Sequence, residues 1–125
     1  MPHAIRIHRT GGPEVLQWEA VELPPPAAGE VRLRHHAVGL NFIDTYHRSG
    51  LYPLPLPSGL GMEGAGVVEA VGEGVADLKA GDRVAYTSGP LDAYSEARNI
   101  EARHLVALPD DISFEQGAAM MLQGI

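Results

Sequence analysis

The sequence predicts a mostly β domain, a twisted and partly open barrel with little helix. Short runs of alternating apolar and polar residues recur along the 125-residue chain, most cleanly at Glu30-Val31-Arg32-Leu33-Arg34. Between them, 15 Gly and 10 Pro interrupt the chain too often for long helices. Hydrophobic residues make up 45 % of the chain, ordinary for a globular core, but only 6 % are aromatic, so the core must be mainly aliphatic.

In order, Ala4-Ile5-Arg6-Ile7-His8 alternates as a strand, and Thr10-Gly11-Gly12-Pro13 turns the chain. Val15 to Val21 is a second extended run, followed by the stiff polyproline connection Leu23-Pro24-Pro25-Pro26. In the third strand, Val31 and Leu33 share one face and Arg32 and Arg34 the other. Asn41 to Ser49 reads as a short helix ended by Gly50. Ala65 to Val71 is a strand closed by Gly72-x-Gly74, and Gly81-Asp82-Arg83 is a corner, capped by Asp82, that leads into Val84-Ala85-Tyr86. Ala93 to Asn99 and His104 to Leu108 complete about seven strands.

The pattern changes after the turn Pro109-Asp110-Asp111-Ile112. Ser113-Phe114-Glu115-Gln116 has the spacing of a capping box, and Ala118, Ala119, Met120, Met121 and Leu122 are good helix formers. A helix so short would be marginal by itself. The expectation is a barrel domain over 1–112, with 113–125 opening a helix that leads into a second domain of a longer protein.

Several function classes are disfavoured. The net charge is −7 and the arginines are scattered, with Arg32, Arg34 and Arg48 the one loose group, so a nucleic-acid surface is not expected. No stretch approaches about 18 apolar residues, and the N-terminus lacks a signal-type apolar segment, so a cytoplasmic protein without a membrane span is expected. With no cysteine there is no disulfide, thiolate nucleophile or thiolate metal site. Gly59-x-Gly61-x-x-Gly64 formally matches a dinucleotide-binding fingerprint. That motif needs a buried strand before it and a helix after it, so that phosphate meets free helix N–H groups. Here Pro53, Pro55 and Pro57 precede it and a strand-like run follows, so no phosphate cradle is expected. The six histidines lack metal-ligand spacing and read as surface or half-buried residues.

Candidate chemistry gathers around the short helix. Asn41 offers an amide donor and acceptor; Tyr46 and Tyr52 offer phenolic donors and flat apolar faces. Equally, Tyr46 can be a half-buried helix residue and Tyr52 a brace for the proline run. Asp44, just inside the helix, suits capping of early N–H groups better than proton transfer.

A series of motifs spans nearly the whole chain. They are Gly11-Gly12-Pro13-Glu14-Val15-Leu16, Gly39-Leu40-Asn41-Phe42-Ile43-Asp44-Thr45-Tyr46, Ser49-Gly50-Leu51-Tyr52-Pro53, and Pro57 to Val68. Val71-Gly72-Glu73-Gly74-Val75, Lys79-Ala80-Gly81-Asp82-Arg83-Val84 and Ser113-Phe114-Glu115-Gln116 continue it. In order and spacing the chain resembles the N-terminal part of quinone oxidoreductases of the zeta-crystallin type, in the medium-chain dehydrogenase/reductase superfamily. The resemblance implies a GroES-like catalytic domain paired with a Rossmann α/β domain beyond residue 125, through which such enzymes form homodimers or larger assemblies. It implies NADPH as cofactor, with hydride passing directly to a small-molecule quinone without metal or flavin. Asn41, Phe42, Ile43, Asp44 and Thr45 resemble the stretch that approaches the nicotinamide half, and Tyr46 and Tyr52 the aromatics of the substrate cleft; the expected catalytic set is Tyr46, Tyr52 and Asn41.

Zinc-dependent members of the superfamily carry Cys and His where this chain has Asn41 and Met62. An amide and a thioether make a poor zinc site, so no metal is expected. A zinc-free enone or enoyl reductase using NADPH is the alternative within enzymes, and a non-catalytic GroES-like binding module the alternative outside them.

Overall fold

Among the residues described by the computed structural model (2–39, 42–50, 55–87 and 91–120), eight strands form two open antiparallel sheets. The smaller has the order β2-β1-β4, from β1 (His3–Ile7), β2 (Gln17–Ala20) and β4 (Ser58–Gly59). The larger has the order β7-β3-β5-β6-β8, from β3 (Glu30–Val38), β5 (Glu63–Val71), β6 (Arg83–Thr87), β7 (Ala97–Glu101) and β8 (Leu105–Ala107). Two helices accompany them, α1 (Phe42–Ser49) and α2 (Phe114–Met120). The mostly β, partly open architecture expected from the sequence is the one observed.

Alternation along β3 and β6 builds the principal core. Val31 and Leu33 turn inward to meet Val68 of β5, Val84 and Tyr86 of β6 and Ile100 of β7. Each such side chain contributes roughly 1.5–3 kcal/mol on burial. The opposite face of the same strands is also covered: Ala65 and Ala85 pack under Ala118 of α2, with Leu108 and Phe114 alongside. Two covered faces explain why Val84, Ala85 and Tyr86 are all buried, where a one-sided strand would alternate.

The capping box forms as its spacing requires. The Gln116 N–H donates to Ser113 Oγ at 3.1 Å, and the Ser113 N–H donates to Gln116 Oε1 at 3.0 Å. Arg83 locks the preceding turn by donating to the carbonyls of Pro109 and Ile112, each at 2.8 Å, while its guanidinium lies 4.4 Å from the Phe114 ring centroid. The start of the C-terminal helix is thus docked on the barrel.

Two expectations change in detail. Val15 belongs to a 3₁₀ turn (Pro13–Val15), so the second strand begins only at Gln17. The run from Ala93 is regular strand only from Ala97 onward. Residues 94–96 instead join the two sheets: the Ile5 N–H donates to the Tyr94 carbonyl at 2.7 Å, the Glu96 N–H to the His3 carbonyl at 2.8 Å, and the His35 N–H to the Glu96 carbonyl at 2.9 Å. A backbone divided between two partners cannot keep a regular ladder with either.

The glycine fingerprint is structural, as its flanks implied. Gly59 pairs with Arg6 in the small sheet, and Gly64 lies inside β5 opposite Val38 and Tyr86. Gly61 has φ +101°, which favours glycine, and a Cβ at Gly64 would come within 2.9 Å of His35 Cδ2. No helix begins at Gly64, so the motif lacks the N-terminus that binds phosphate.

Candidate functional site

Helix α1 carries most of the residues singled out from the sequence. It ends where Gly50, at φ +90°, turns the chain and donates its N–H to the His47 carbonyl at 3.3 Å. Its last turn is tied to the first hairpin: the Gly11 N–H donates to the Arg48 carbonyl at 2.9 Å, and Arg48 Nε donates to the Gly11 carbonyl at 3.3 Å. Asp44 and His47, three positions apart on one face, are buried, whereas Tyr46 is 38 % exposed.

Asp44 accepts a hydrogen bond on Oδ2 from the hydroxyl of Tyr94. Burial, then the hydrogen bond and negative charge of Asp44, then the charge of Glu63, all push the Tyr94 phenol well above its ordinary pKa. Tyr94 therefore stays an O–H donor. The aromatic ring packs against Ile7, Val15 and Leu60, which joins α1 to the small core under the first sheet.

A second polar group lies between β3, β6 and β7. His35 places Nδ1 at 2.9 Å from the Ser95 carbonyl and Nε2 at 2.7 Å from the Tyr86 hydroxyl. A carbonyl can only accept, so Nδ1 carries the proton and Nε2 accepts from Tyr86. Arg98, buried, lies with its guanidinium 5.4 Å from the Tyr86 ring centroid and donates to the Tyr86 oxygen at 3.4 Å. Desolvation, reinforced by the Arg98 charge and opposed by the bond to Ser95, lowers the His35 pKa to about 4.

The unfolded chain binds a proton on His35 near the ordinary value of 6.5, and the folded chain does not until about pH 4. The contribution of neutral His35 is complete above pH 6.5 and is lost as pH falls from there toward 4, with a slope of at most about 1.4 kcal/mol per pH unit. Unfolding free energies between pH 7.5 and 4.5 are expected to decline less steeply for His35→Gln than for the unmodified chain; equal slopes would contradict this assignment.

The predicted site residues separate clearly. Asn41 and Tyr52 lie outside the described residues. Phe42 and Ile43 occupy the first turn of α1, and their side chains lie outside the described part. Asp44 is buried on Tyr94, Thr45 is half-buried and Tyr46 reaches the surface. His35 is half-buried, within what the sequence led us to expect, but its hydrogen bonds to Ser95 and Tyr86 were not foreseen, and His47 is buried where a surface or half-buried residue was expected. Tyr94 was missed because its partner lies 50 residues away along the chain. The one signal in the sequence was an acidic residue on the inner face of a short helix, which requires some donor.

At the first residue of β5, Glu63 is 1 % exposed and pressed against Gly39, where any Cβ would overlap its carboxylate. Met62 beside it is half-buried. A thioether at this point, in a chain with no cysteine, supplies none of the thiolate or imidazole donors that hold zinc.

This architecture, with a short helix set against an open two-sheet barrel, defines the class. Residues 27–110 match the alcohol dehydrogenase GroES-like domain, and the chain belongs to that family. It is 58 % identical over 126 residues to the quinone oxidoreductase of Pseudomonas aeruginosa, with 100 % of this chain aligned to 39 % of that protein. The solved structure of Escherichia coli quinone oxidoreductase complexed with NADPH superimposes with a TM-score of 0.94 at 54 % identity, covering 98 % of this chain and 38 % of that one. A 2-haloacrylate reductase from Burkholderia is 44 % identical over 132 residues, covering 100 % of this chain and 39 % of that protein. The chain thus spans about 39 % of the length of the curated relatives it matches.

Proposed function

We propose that this chain is the catalytic domain of an NADPH-dependent quinone oxidoreductase that works without zinc, paired with a Rossmann domain beyond residue 125. The observation that carries the reading is the 58 % identity to a quinone oxidoreductase across the whole of this chain. The cofactor assignment draws on a relative at 54 % identity whose structure is complexed with NADPH. In this reading 1–112 form the catalytic domain and 113–125 lead into the nucleotide-binding domain, through which the enzyme forms a homodimer or larger assembly. A cytoplasmic protein is proposed; among the described residues no helix is long and apolar enough to cross a membrane.

The nicotinamide, when bound, supplies the hydride. Thr45, half-buried, and Tyr46, partly exposed, offer hydroxyl groups and an aromatic face on α1, which suit a planar ring bearing a carboxamide. Asn41, Phe42, Ile43, Asp44 and Thr45 are proposed to form the wall against the nicotinamide half. Tyr46 and Tyr52 are proposed to line the cleft, where either phenol would donate to the substrate oxygen as negative charge develops on it. With no metal to polarise that oxygen, alignment and hydrogen bonding must lower the barrier.

A second reading is favoured by the 44 % identity to the 2-haloacrylate reductase: an NADPH-dependent reductase of conjugated enones or enoyl compounds. Both substrate classes accept hydride into a conjugated electrophile, so the same cleft serves either. Steady-state kinetics of the full-length enzyme with both nicotinamides against a panel of quinones and enones tests the choice. A kcat/KM at least about tenfold higher for quinones is expected, a gap of about 1.4 kcal/mol in transition-state stabilisation. Preference for enones would select the second reading.

A further inference from the structure

We propose that Tyr94 is a positioning residue for the cleft: through its hydroxyl on Asp44 it fixes the rotation of α1 and so the direction in which Tyr46 is presented. The role in catalysis rests on the functional reading above, whereas the mechanical role rests on the geometry alone.

Tyr94 has a fixed base. The backbone N–H donates to the Leu60 carbonyl at 3.0 Å and the carbonyl accepts from the Ile5 N–H at 2.7 Å, while the ring packs on Ile7, Val15 and Leu60. From that base the hydroxyl reaches Asp44, which is 5 % exposed. Positions 44 and 46 lie about 200° apart around a helix of 3.6 residues per turn. The carboxylate therefore points into the molecule where Tyr46 points out, and any rotation of α1 that frees Asp44 carries Tyr46 with it. The other end of the helix is held at Arg48 by the two hydrogen bonds to Gly11. A helix of eight residues fastened at both ends keeps one orientation, and the tyrosine–aspartate pair is a fastening in its N-terminal half. Neither residue need touch substrate for this.

Tyr94→Phe keeps the ring in its core and removes the hydroxyl. In the full-length enzyme, kcat/KM is expected to fall about ten- to a hundredfold, as small misplacements of aligned groups do, and NADPH binding, read by nucleotide fluorescence, to weaken several-fold. Amide hydrogen exchange supplies a readout independent of turnover. Amides of 42–49 are expected to exchange at least about tenfold faster in the variant, with β3 and β5 unchanged, the mark of local opening. Asp44→Asn should reproduce the pattern, and the double variant should be no worse than the poorer single variant.

Unchanged exchange in α1, or faster exchange throughout the sheets, would overturn the positioning role and leave Tyr94 an ordinary fold contact. Local loosening in an enzyme of unaltered kinetics would overturn its importance for the cleft. If the unmodified enzyme neither binds NADPH nor turns over, the functional reading fails, and the exchange measurement still decides whether Tyr94 holds the helix.

Discussion

Replacing Tyr86 by alanine is expected to cost about 3–5 kcal/mol of unfolding free energy, the range for removing a large buried aromatic. Among the described residues Tyr86 is the largest fully buried side chain, set among Val31, Leu33, Val84 and Ile100 in the core of the larger sheet. Its loss would leave a cavity and would also strip His35 Nε2 of its donor and Arg98 of a neighbour. Tyr86→Phe separates the two effects: the ring stays, and the unsatisfied polar groups cost about 1–3 kcal/mol. Urea unfolding of both variants measures this directly. A loss below about 1 kcal/mol for the alanine variant would mean that the core closes around the gap, contrary to its dense packing.

Loss of a phenol from the proposed cleft should act on turnover and spare stability. Tyr46 is 38 % exposed, so Tyr46→Phe should unfold like the unmodified protein. If its hydroxyl donates to the developing oxyanion, its removal costs about 1.5–3 kcal/mol, equivalent to a ten- to hundredfold drop in turnover or somewhat more. Tyr52→Phe is the parallel test, since chemistry and family resemblance nominate both residues. The alanine variants remove the stacking surface as well and should also raise KM for a flat substrate. Near-normal kinetics for both alanine variants would exclude both tyrosines from the working site.

The fold was legible wherever a local rule sufficed. Alternation placed Val31 and Leu33 inside, Gly50 ended the helix, Asp82 capped its corner by accepting the Lys79 N–H, and Ser113 and Gln116 formed their box. The flanks of Gly59-x-Gly61-x-x-Gly64 likewise excluded a phosphate loop on local grounds. What stayed illegible depends on partners far apart in sequence. Nothing near Asp44 announces Tyr94, and nothing near His35 announces Tyr86, 51 residues away. Residues 94–96 resemble a strand in composition, yet their hydrogen bonds go to two sheets, which no periodicity encodes. The buried Arg98 beside Tyr86 was illegible for the same reason.

Hydride transfer without zinc is what we propose for this GroES-like domain. Its most direct test is NADPH oxidation by the full-length enzyme with a quinone acceptor, measured before and after exhaustive chelation, with metal content determined on the same samples. Turnover is expected to survive chelation unchanged in protein free of stoichiometric zinc, because by the family resemblance Asn41 and Met62 replace the Cys and His of zinc-dependent relatives, and an amide and a thioether hold zinc poorly. One tightly held zinc per chain, lost together with activity, would contradict the account.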